Sequence, residues 1–377
     1  MMNPFVVRSY VSKGLFCDRE QELAGLLRNC ENNADTTIIS FRRMGKTGLI
    51  YRLFDEIKSR HLAMNPIYVD IYASRSLSDF IKFLSEAILK AYPEKSSVGK
   101  KFMTFIKSFR PLITFDPITG EPQLQMSYHS VEEKEYTLKG LFDFLEKSGV
   151  RTLLAIDEFQ QIREYPEANM EELLRTYIQP LKHVNFIFCG SKKHMMTDIF
   201  VNAKKPFYSS TRFLMLDKIA ADSYYAFIEH HFTENEQQIA SEAIRYILEW
   251  TRRHTYYTQS LCNTVYAEKN KIITIDSVKK ACLQILQHNE PVYLQYRQLL
   301  TDKQWNFLIA VAKEQEVKQI TSQKFISGYG IGTPASAKRI VKALCDKELL
   351  IENVTKEGVT YSVYDVFFSR WLEREYS

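Results

Sequence analysis

Short apolar runs and longer stretches of helical rhythm alternate along the first half of the chain. Thr36-Thr37-Ile38-Ile39, Pro66-Ile67-Tyr68-Val69-Asp70-Ile71-Tyr72 and Val184-Asn185-Phe186-Ile187-Phe188-Cys189 read as strands. Leu153-Leu154-Ala155-Ile156 has no polar position at all, which marks a strand buried on both faces, as in a parallel sheet. Arg212-Phe213-Leu214-Met215-Leu216 reads as the last strand. Between these runs, Glu20 to Asn29, the positions Leu49, Ile50, Leu53, Phe54 and Ile57, and Tyr136 to Lys147 carry helical spacing. Strands alternating with helices predict an α/β unit, a parallel sheet covered on both faces.

From Ala221 to about Asn289 the spacing is helical throughout, with strand-like alternation only at Ile272-Ile273-Thr274, and predicts a small helical bundle. Pro291 marks a boundary. Beyond it, helices are expected over Thr301 to Lys313, from Thr321 to Ile326, and over Pro334 to Leu344. Leu349-Leu350-Ile351-Glu352 and Val359-Thr360-Tyr361-Ser362-Val363 flank Lys356-Glu357-Gly358 as a hairpin. Three helices and a hairpin describe a winged helix-turn-helix. The expected domains are therefore 1–216, 217–290 and 291–377.

A segment at about 95–130 interrupts the first domain. Lys95, Lys100, Lys101, Lys107 and Arg110 crowd a stretch where Phe102, Phe105, Ile106 and Phe109 recur at helical spacing. This basic amphipathic helix is expected to pack on its own domain rather than on a membrane surface. Leu112 to Phe115 and Gln123 to Met126 then flank the turn from Asp116 to Pro122, including Glu121, as a hairpin. The insertion is a candidate surface for a partner protein or a neighbouring subunit.

Chemistry concentrates where strands end. After the first strand comes Ser40-Phe41-Arg42-Arg43-Met44-Gly45-Lys46-Thr47-Gly48, which matches a phosphate-binding loop except that Ser40 stands where the first glycine belongs. Backbone N–H groups from Arg42 to Gly48 would surround the β-phosphate at a helix N-terminus. Lys46 would neutralise the β- and γ-phosphates, and the Thr47 hydroxyl would sit on Mg²⁺. A serine forced to positive φ at position 40 would cost roughly 1–2 kcal/mol. The strand through Leu154 ends in Asp157 and Glu158: the first would hold Mg²⁺ through water, the second would polarise the attacking water. Ser191, after Gly190, is a candidate γ-phosphate sensor or an ordinary turn serine. Arg212 is a candidate γ-phosphate arginine or a surface arginine at a strand start.

The chain resembles the prokaryotic P-loop ATPases called the archaeal ATPase family, within the AAA+/STAND group. The resemblance rests on Phe16-Cys17-Asp18-Arg19-Glu20, on Arg42 to Thr47, on the strand ending Asp157-Glu158, on Gly190-Ser191, on Pro206-Phe207-Tyr208, and on Tyr364 to Leu372. It implies an ATP-binding AAA+-like core, a helical lid over 217–290 and a C-terminal winged helix, with ATP and Mg²⁺ as cofactors. It also puts Asp18 and Arg19 on the adenine side of the nucleotide, although Asp18 could equally be a helix cap. The lid segment usually carries Gly-x-Pro, whereas Arg253-His254-Thr255-Tyr256-Tyr257 lacks both residues and keeps only the aromatic part.

Composition adds limits. The 377 residues are 45% hydrophobic and 25% charged, ordinary globular values, and no apolar run reaches membrane-spanning length. The N-terminus shows no secretory signal, and six cysteines without a Cys-x-x-Cys suggest buried thiols in a cytoplasmic protein and argue against zinc. A net charge of +5 does not argue for nucleic acid. Locally, the third helix of the last domain offers Ser336, Lys338, Arg339 and Lys342 for phosphate and base contacts, yet residues 331–377 hold seven basic and seven acidic side chains. DNA binding and protein contact both stay open. The expected function is an ATP-binding, ATP-hydrolysing switch that moves lid and winged helix, with ATP and ADP as ligands. The alternatives are a DNA-binding regulator with a vestigial nucleotide site, and an interaction module that binds ATP without turning it over, with protein partners or self-association.

Overall fold

A computed structural model describes residues 2–93, 95–109, 111–120, 122–355 and 358–376. Arg110, Glu121, Lys356 and Glu357, which belong to the expected basic helix and hairpins, lie outside the described residues. The chain divides into two compact units, Arg8–Lys218 and Met1–Val7 with Ile219–Ser377.

The first unit starts with helix α1 (Glu20–Glu31), strand β1 (Thr36–Ile39), helix α2 (Lys46–Ser59) and strand β2 (Met64–Asp70). Helices α3 (Leu77–Ala91) and α4 (Ser97–Lys107), strands β3 (Leu112–Phe115) and β4 (Pro122–Gln125), and helix α5 (Val131–Lys147) follow. Strand β5 (Arg151–Asp157), helix α6 (Met170–Ile178), strand β6 (Val184–Gly190), helix α7 (Lys193–Val201) and strand β7 (Arg212–Met215) complete it. Among the described residues the sheet has five parallel strands in the order β2-β5-β6-β1-β7. Side chains alternate between its faces. Leu153, Ala155, Ile187 and Cys189 pack with Leu23, Leu27, Leu49 and Leu53 of α1 and α2. Leu154, Ile156, Phe186 and Phe188 pack with Phe80, Leu84, Leu141 and Phe142 of α3 and α5. Burial on both faces is the reason these strands read as unbroken apolar runs.

The insertion packs on this unit, as its pattern predicts. Phe102 and Ile106 of α4 are fully buried, and Phe102 meets Phe144 of α5 with ring centroids 4.8 Å apart. A Cβ at Gly140 would come within 2.9 Å of the Phe105 ring, so α5 needs a glycine where the two helices approach. The hairpin β3–β4 is antiparallel and is anchored by buried Leu124, whose N–H donates to Glu86 of α3 at 2.7 Å. Leu112, Phe115 and Ile118 on its outer side remain exposed. Between α4 and α5 lies a groove of about 470 Å³, floored by Phe105, Tyr136 and Phe144 and rimmed by Lys101, Lys139 and Lys147.

The second unit contains helices α8 (Ala221–Thr233), α9 (Ser241–Trp250), α10 (Thr255–Ala267) and α11 (Ile275–Gln298). Two short parallel strands, β8 (Gln238–Ile239) and β9 (Ile272–Ile273), tie the bundle together. Pro291 sits inside α11, which continues unbroken to Gln298. Helices α12 (Asp302–Glu314), α13 (Gln323–Gly328) and α14 (Pro334–Asp346), strands β10 (Leu350–Thr355) and β11 (Gly358–Val363), and helix α15 (Val366–Glu375) form the rest. α15 locks these helices to the bundle. Phe367 packs on Trp250 and Tyr257 at 5.4 and 4.7 Å, and the Arg252 guanidinium donates to Ser369 and Glu373 at 2.9 and 2.8 Å. Among the described residues no helix is long and apolar enough to cross a membrane.

Candidate functional site

At the carboxyl ends of β1, β5 and β6 the chain gathers Lys46, Thr47, Asp157, Glu158 and Ser191. The loop from Ser40 to Gly45 leaves β1 and enters α2, whose N-cap is Gly45 at φ 94°. Ser40 is buried and is not among the residues of positive φ; its hydroxyl donates to the Phe41 carbonyl at 2.9 Å. The expected strain at Ser40 is therefore absent. Left-handed backbone falls instead on Gly45 and on Arg43 (φ 62°), whose side chain is exposed. Met44 turns its side chain inward, and Gly48 lies against Phe16, whose ring would come within 3.0 Å of a Cβ there.

The Lys46 ammonium is buried and donates to the carbonyls of Ser40 and Phe41 at 3.4 and 3.3 Å. Burial pulls its pKa below the usual lysine range, and the charges of Asp157 and Glu158 oppose that shift. Asp157 Oδ2 accepts hydrogen bonds from the Thr47 hydroxyl at 2.9 Å and the Tyr68 hydroxyl at 2.8 Å. Asp70 stands beside it because β2 pairs with β5 in the register Asp70↔Asp157. Burial raises the Asp70 pKa, and the charges of Asp157 and Glu158 add to the rise. Two carboxylates, Asp157 and Glu158, thus act on Lys46, and Asp70 adjoins Asp157.

Glu158 is itself left-handed (φ 56°) and is fixed by the fully buried Phe159, which packs on Phe188 at 4.6 Å. Its Oε2 accepts from the Ser191 hydroxyl at 2.8 Å and from Gln160 Nε2 at 2.5 Å. Ser191 also accepts from Arg42 Nε at 3.4 Å, and Arg42 lies 5.6 Å from the Tyr72 ring centroid. A Cβ at Gly190 would meet Gln160 Oε1 at 2.2 Å, so glycine there makes room for the amide that holds Glu158. Tyr68, Asp70 and Gln160 were not foreseen. The signal for the first two was available in the second strand ending in a carboxylate, but its register against β5 was not.

Three expectations need correction. Asp18 does not cap α1: the N-cap is Arg19, itself left-handed at φ 79°, and the Asp18 carboxylate accepts the Arg19 N–H at 2.8 Å. Arg19 is buried, pairs with Glu22 at 2.8 Å and donates to the Asp217 carbonyl, so its side chain ties α1 to the end of β7. Arg212 is not brought to the site. It pairs in register with Thr36, at the amino end of the sheet, where its guanidinium donates to Asn29 at 3.1 Å.

In the other unit, α14 buries Ala337, Ile340, Val341 and Leu344 and exposes Lys338, Arg339 and Lys342. Ser336 is engaged in the helix cap: its N–H donates to Thr333 Oγ1 at 3.2 Å. Tyr257 is buried in the packing under α15.

The profile of an ATPase domain found predominantly in Archaea matches residues 16–257, and one described as a probable winged helix domain matches residues 291–374. Among solved structures, a Walker-type ATPase of Pyrococcus abyssi is similar at 18% identity and TM-score 0.67, over 98% of this chain and 99% of that one. The Orc2 protein of Aeropyrum pernix, solved with ADPNP and ADP, is similar at 14% identity and TM-score 0.58, over 99% and 98%. The Orc1 protein of the same organism, solved in complex with DNA, is similar at 14% identity and TM-score 0.52, over 96% and 93%. The sequence finds no significant match among curated proteins. At these identities the likeness speaks for fold: a P-loop NTPase parallel sheet with helices, followed by a winged helix domain.

Proposed function

The chain belongs to the ATPase family whose domain is found predominantly in Archaea, and on that premise we propose that it binds ATP with Mg²⁺ and hydrolyses it as a molecular switch. The observation that carries this reading is the hydrogen-bonded network from Thr47 through Asp157 to Glu158 and Ser191, closed around a buried lysine. Backbone N–H groups from Arg43 to Gly48 would receive the β-phosphate where α2 begins. Lys46, whose charge is costly while buried without phosphate, would transfer its hydrogen bonds from loop carbonyls to phosphate oxygens. Thr47 and Asp157 offer only oxygen donors, a set that fits Mg²⁺, and they would hold it. The ion would supply charge neutralisation at the transferred phosphoryl group. Glu158 Oε would accept a proton from the attacking water, with Gln160 and Ser191 fixing the direction of that carboxylate. Ser191 and Arg42 adjoin this position and would sense the γ-phosphate.

The test is turnover measured beside Glu158→Gln and Lys46→Ala. Retained ATP binding with lost turnover is expected for the first and lost binding for the second. Equal turnover in all three proteins would remove the assignment.

We further propose that nucleotide state is coupled to the winged helix, and that α14 contacts DNA through Lys338, Arg339 and Lys342. The exposed basic face supports this, and the similar Orc1 protein was solved with DNA. Replacing the three with alanine should flatten the salt dependence of DNA affinity by about 2–3 units of log–log slope. No affinity for duplex DNA at low salt would leave α14 a protein-contact surface. Six free cysteines, five of them buried, support a reducing compartment such as the cytoplasm.

A further inference from the structure

The last turn of α8 carries a cluster unrelated to the phosphate loop. His230, His231 and Glu234 place one ligand atom each within 4.8 Å of the others. Helix geometry explains why. At 100° per residue, Glu234 stands one turn beyond the histidines and between them in azimuth, at about 40° against 0° and 100°. One carboxylate therefore reaches both rings. His230 Nε2 is 3.3 Å from Glu234 Oε1, and His231 Nδ1 is 3.8 Å from Glu234 Oε2.

We propose that these three side chains form a binding site for a first-row divalent cation, zinc foremost. Two ligands bonded at about 2.0–2.1 Å to one tetrahedral zinc lie roughly 3.3 Å apart, so the three ligand atoms, all within 4.8 Å of one another, would draw together by up to about 1.5 Å. Two imidazoles and a carboxylate are a donor set that zinc accepts, leaving the fourth position to water. One ligand is preplaced: His231 is only 5% exposed, its ring held by Phe227 at 4.4 Å and Phe5 at 6.0 Å. His230 and Glu234 are 59% and 58% exposed, so they can complete the shell without disturbing the packing. The carbonyls at the end of α8 add negative potential, which favours a cation. The sequence hid this site because no cysteine or familiar spacing announces it. A bound ion would staple the last turn of α8 to its C-cap.

The experiment titrates cobalt(II), as a visible stand-in for zinc, into the full chain stripped by chelator and kept in excess Mg²⁺ without nucleotide. One equivalent should bind with the ligand-field bands of a four-coordinate site, and zinc should displace it and raise the melting temperature. His230→Ala and Glu234→Gln, both at exposed positions, should weaken binding by more than the roughly 10–100-fold typical of an outer-shell partner. Asp157→Asn should leave it unchanged. The proposal is overturned if cobalt does not saturate, if neither variant weakens binding, or if Asp157→Asn alone abolishes it.

Discussion

The two ends of the parallel sheet are equally rich in polar side chains and use them in opposite ways. At the amino end most groups have a local partner, although Asn65 Nδ2 and Asn185 Nδ2 are buried without one. Asn29 donates to Thr36 at 3.0 Å and accepts from Arg212, Thr37 meets Thr211 at 2.7 Å, and Arg151 donates to Asn185 and to the Cys30 carbonyl. Asp35 accepts the N–H of Phe186 at 2.8 Å. At the carboxyl end Asp157 and Glu158 lie against Lys46, and Asp70 pairs in register with Asp157. The first arrangement satisfies most of its donors and acceptors one by one. In the second, burial first and then the charges of Asp157 and Glu158 raise the Asp70 pKa, so a cation or a rearranged hydrogen bond is favoured there. Polar residues at a strand end are thus not a site; unbalanced ones are.

The largest effects should fall at the carboxyl end. Glu158→Gln is expected to lower ATP turnover by roughly 10²–10⁴ while leaving ATP affinity intact, since it removes only the proton acceptor. Lys46→Ala should abolish ATP binding as read by calorimetry. If either variant behaves as wild type, the charge imbalance at this end has no catalytic meaning.

Asp35 sharpens the contrast from the other end. Burial pushes its carboxyl up from the usual 3.8 to about 6, with the Phe186 N–H acting against the shift. A carboxyl raised in the folded chain stabilises the fold while it is protonated. Its contribution is complete below pH 3.8 and is lost as pH rises through about 6. Asp35→Asn keeps an acceptor for Phe186 and should remove that part of the pH slope in denaturation experiments, with turnover unaffected. An unchanged slope would mean that Asp35 is hydrated and that the amino end is less dry than its packing implies.

What the sequence revealed and concealed follows the same division. Strands were legible because two-sided burial keeps them mostly apolar, with few polar positions such as Thr36, Thr37 and Asn185 inside them, and Asp157-Glu158 because the carboxylates end such a run. Register was not legible, so Tyr68 and Asp70 were missed, and of the two readings of Arg212 the surface arginine at a strand start is the one the structure bears out. Backbone conformation was concealed as well. The glycine position of the loop pattern suggested strain at Ser40, but the chain turns left-handed three residues later, at Arg43. Ser40→Gly should therefore bring no gain in turnover. It should cost roughly 0.5–1 kcal/mol of stability, the entropy of an added glycine. A clear rise in turnover would restore the idea of a strained loop.

Arg212→Ala carries the smallest expected effect and bears most directly on the contrast. The side chain lies at the amino end of β7, in register with Thr36, and its hydrogen bond to Asn29 is exposed to solvent. Surface substitutions of this kind usually change stability by no more than about 0.5 kcal/mol. Turnover should stay as in wild type, because the sheet separates this guanidinium from Glu158 by the length of β1. A loss of turnover with folding intact would put a catalytic group among side chains such as Asn29, Thr36 and Asp35 that are engaged in pairing. The division of labour between the two ends would then be wrong, and the amino end of β7 would have to reach a phosphate by some route other than its own chain's loop.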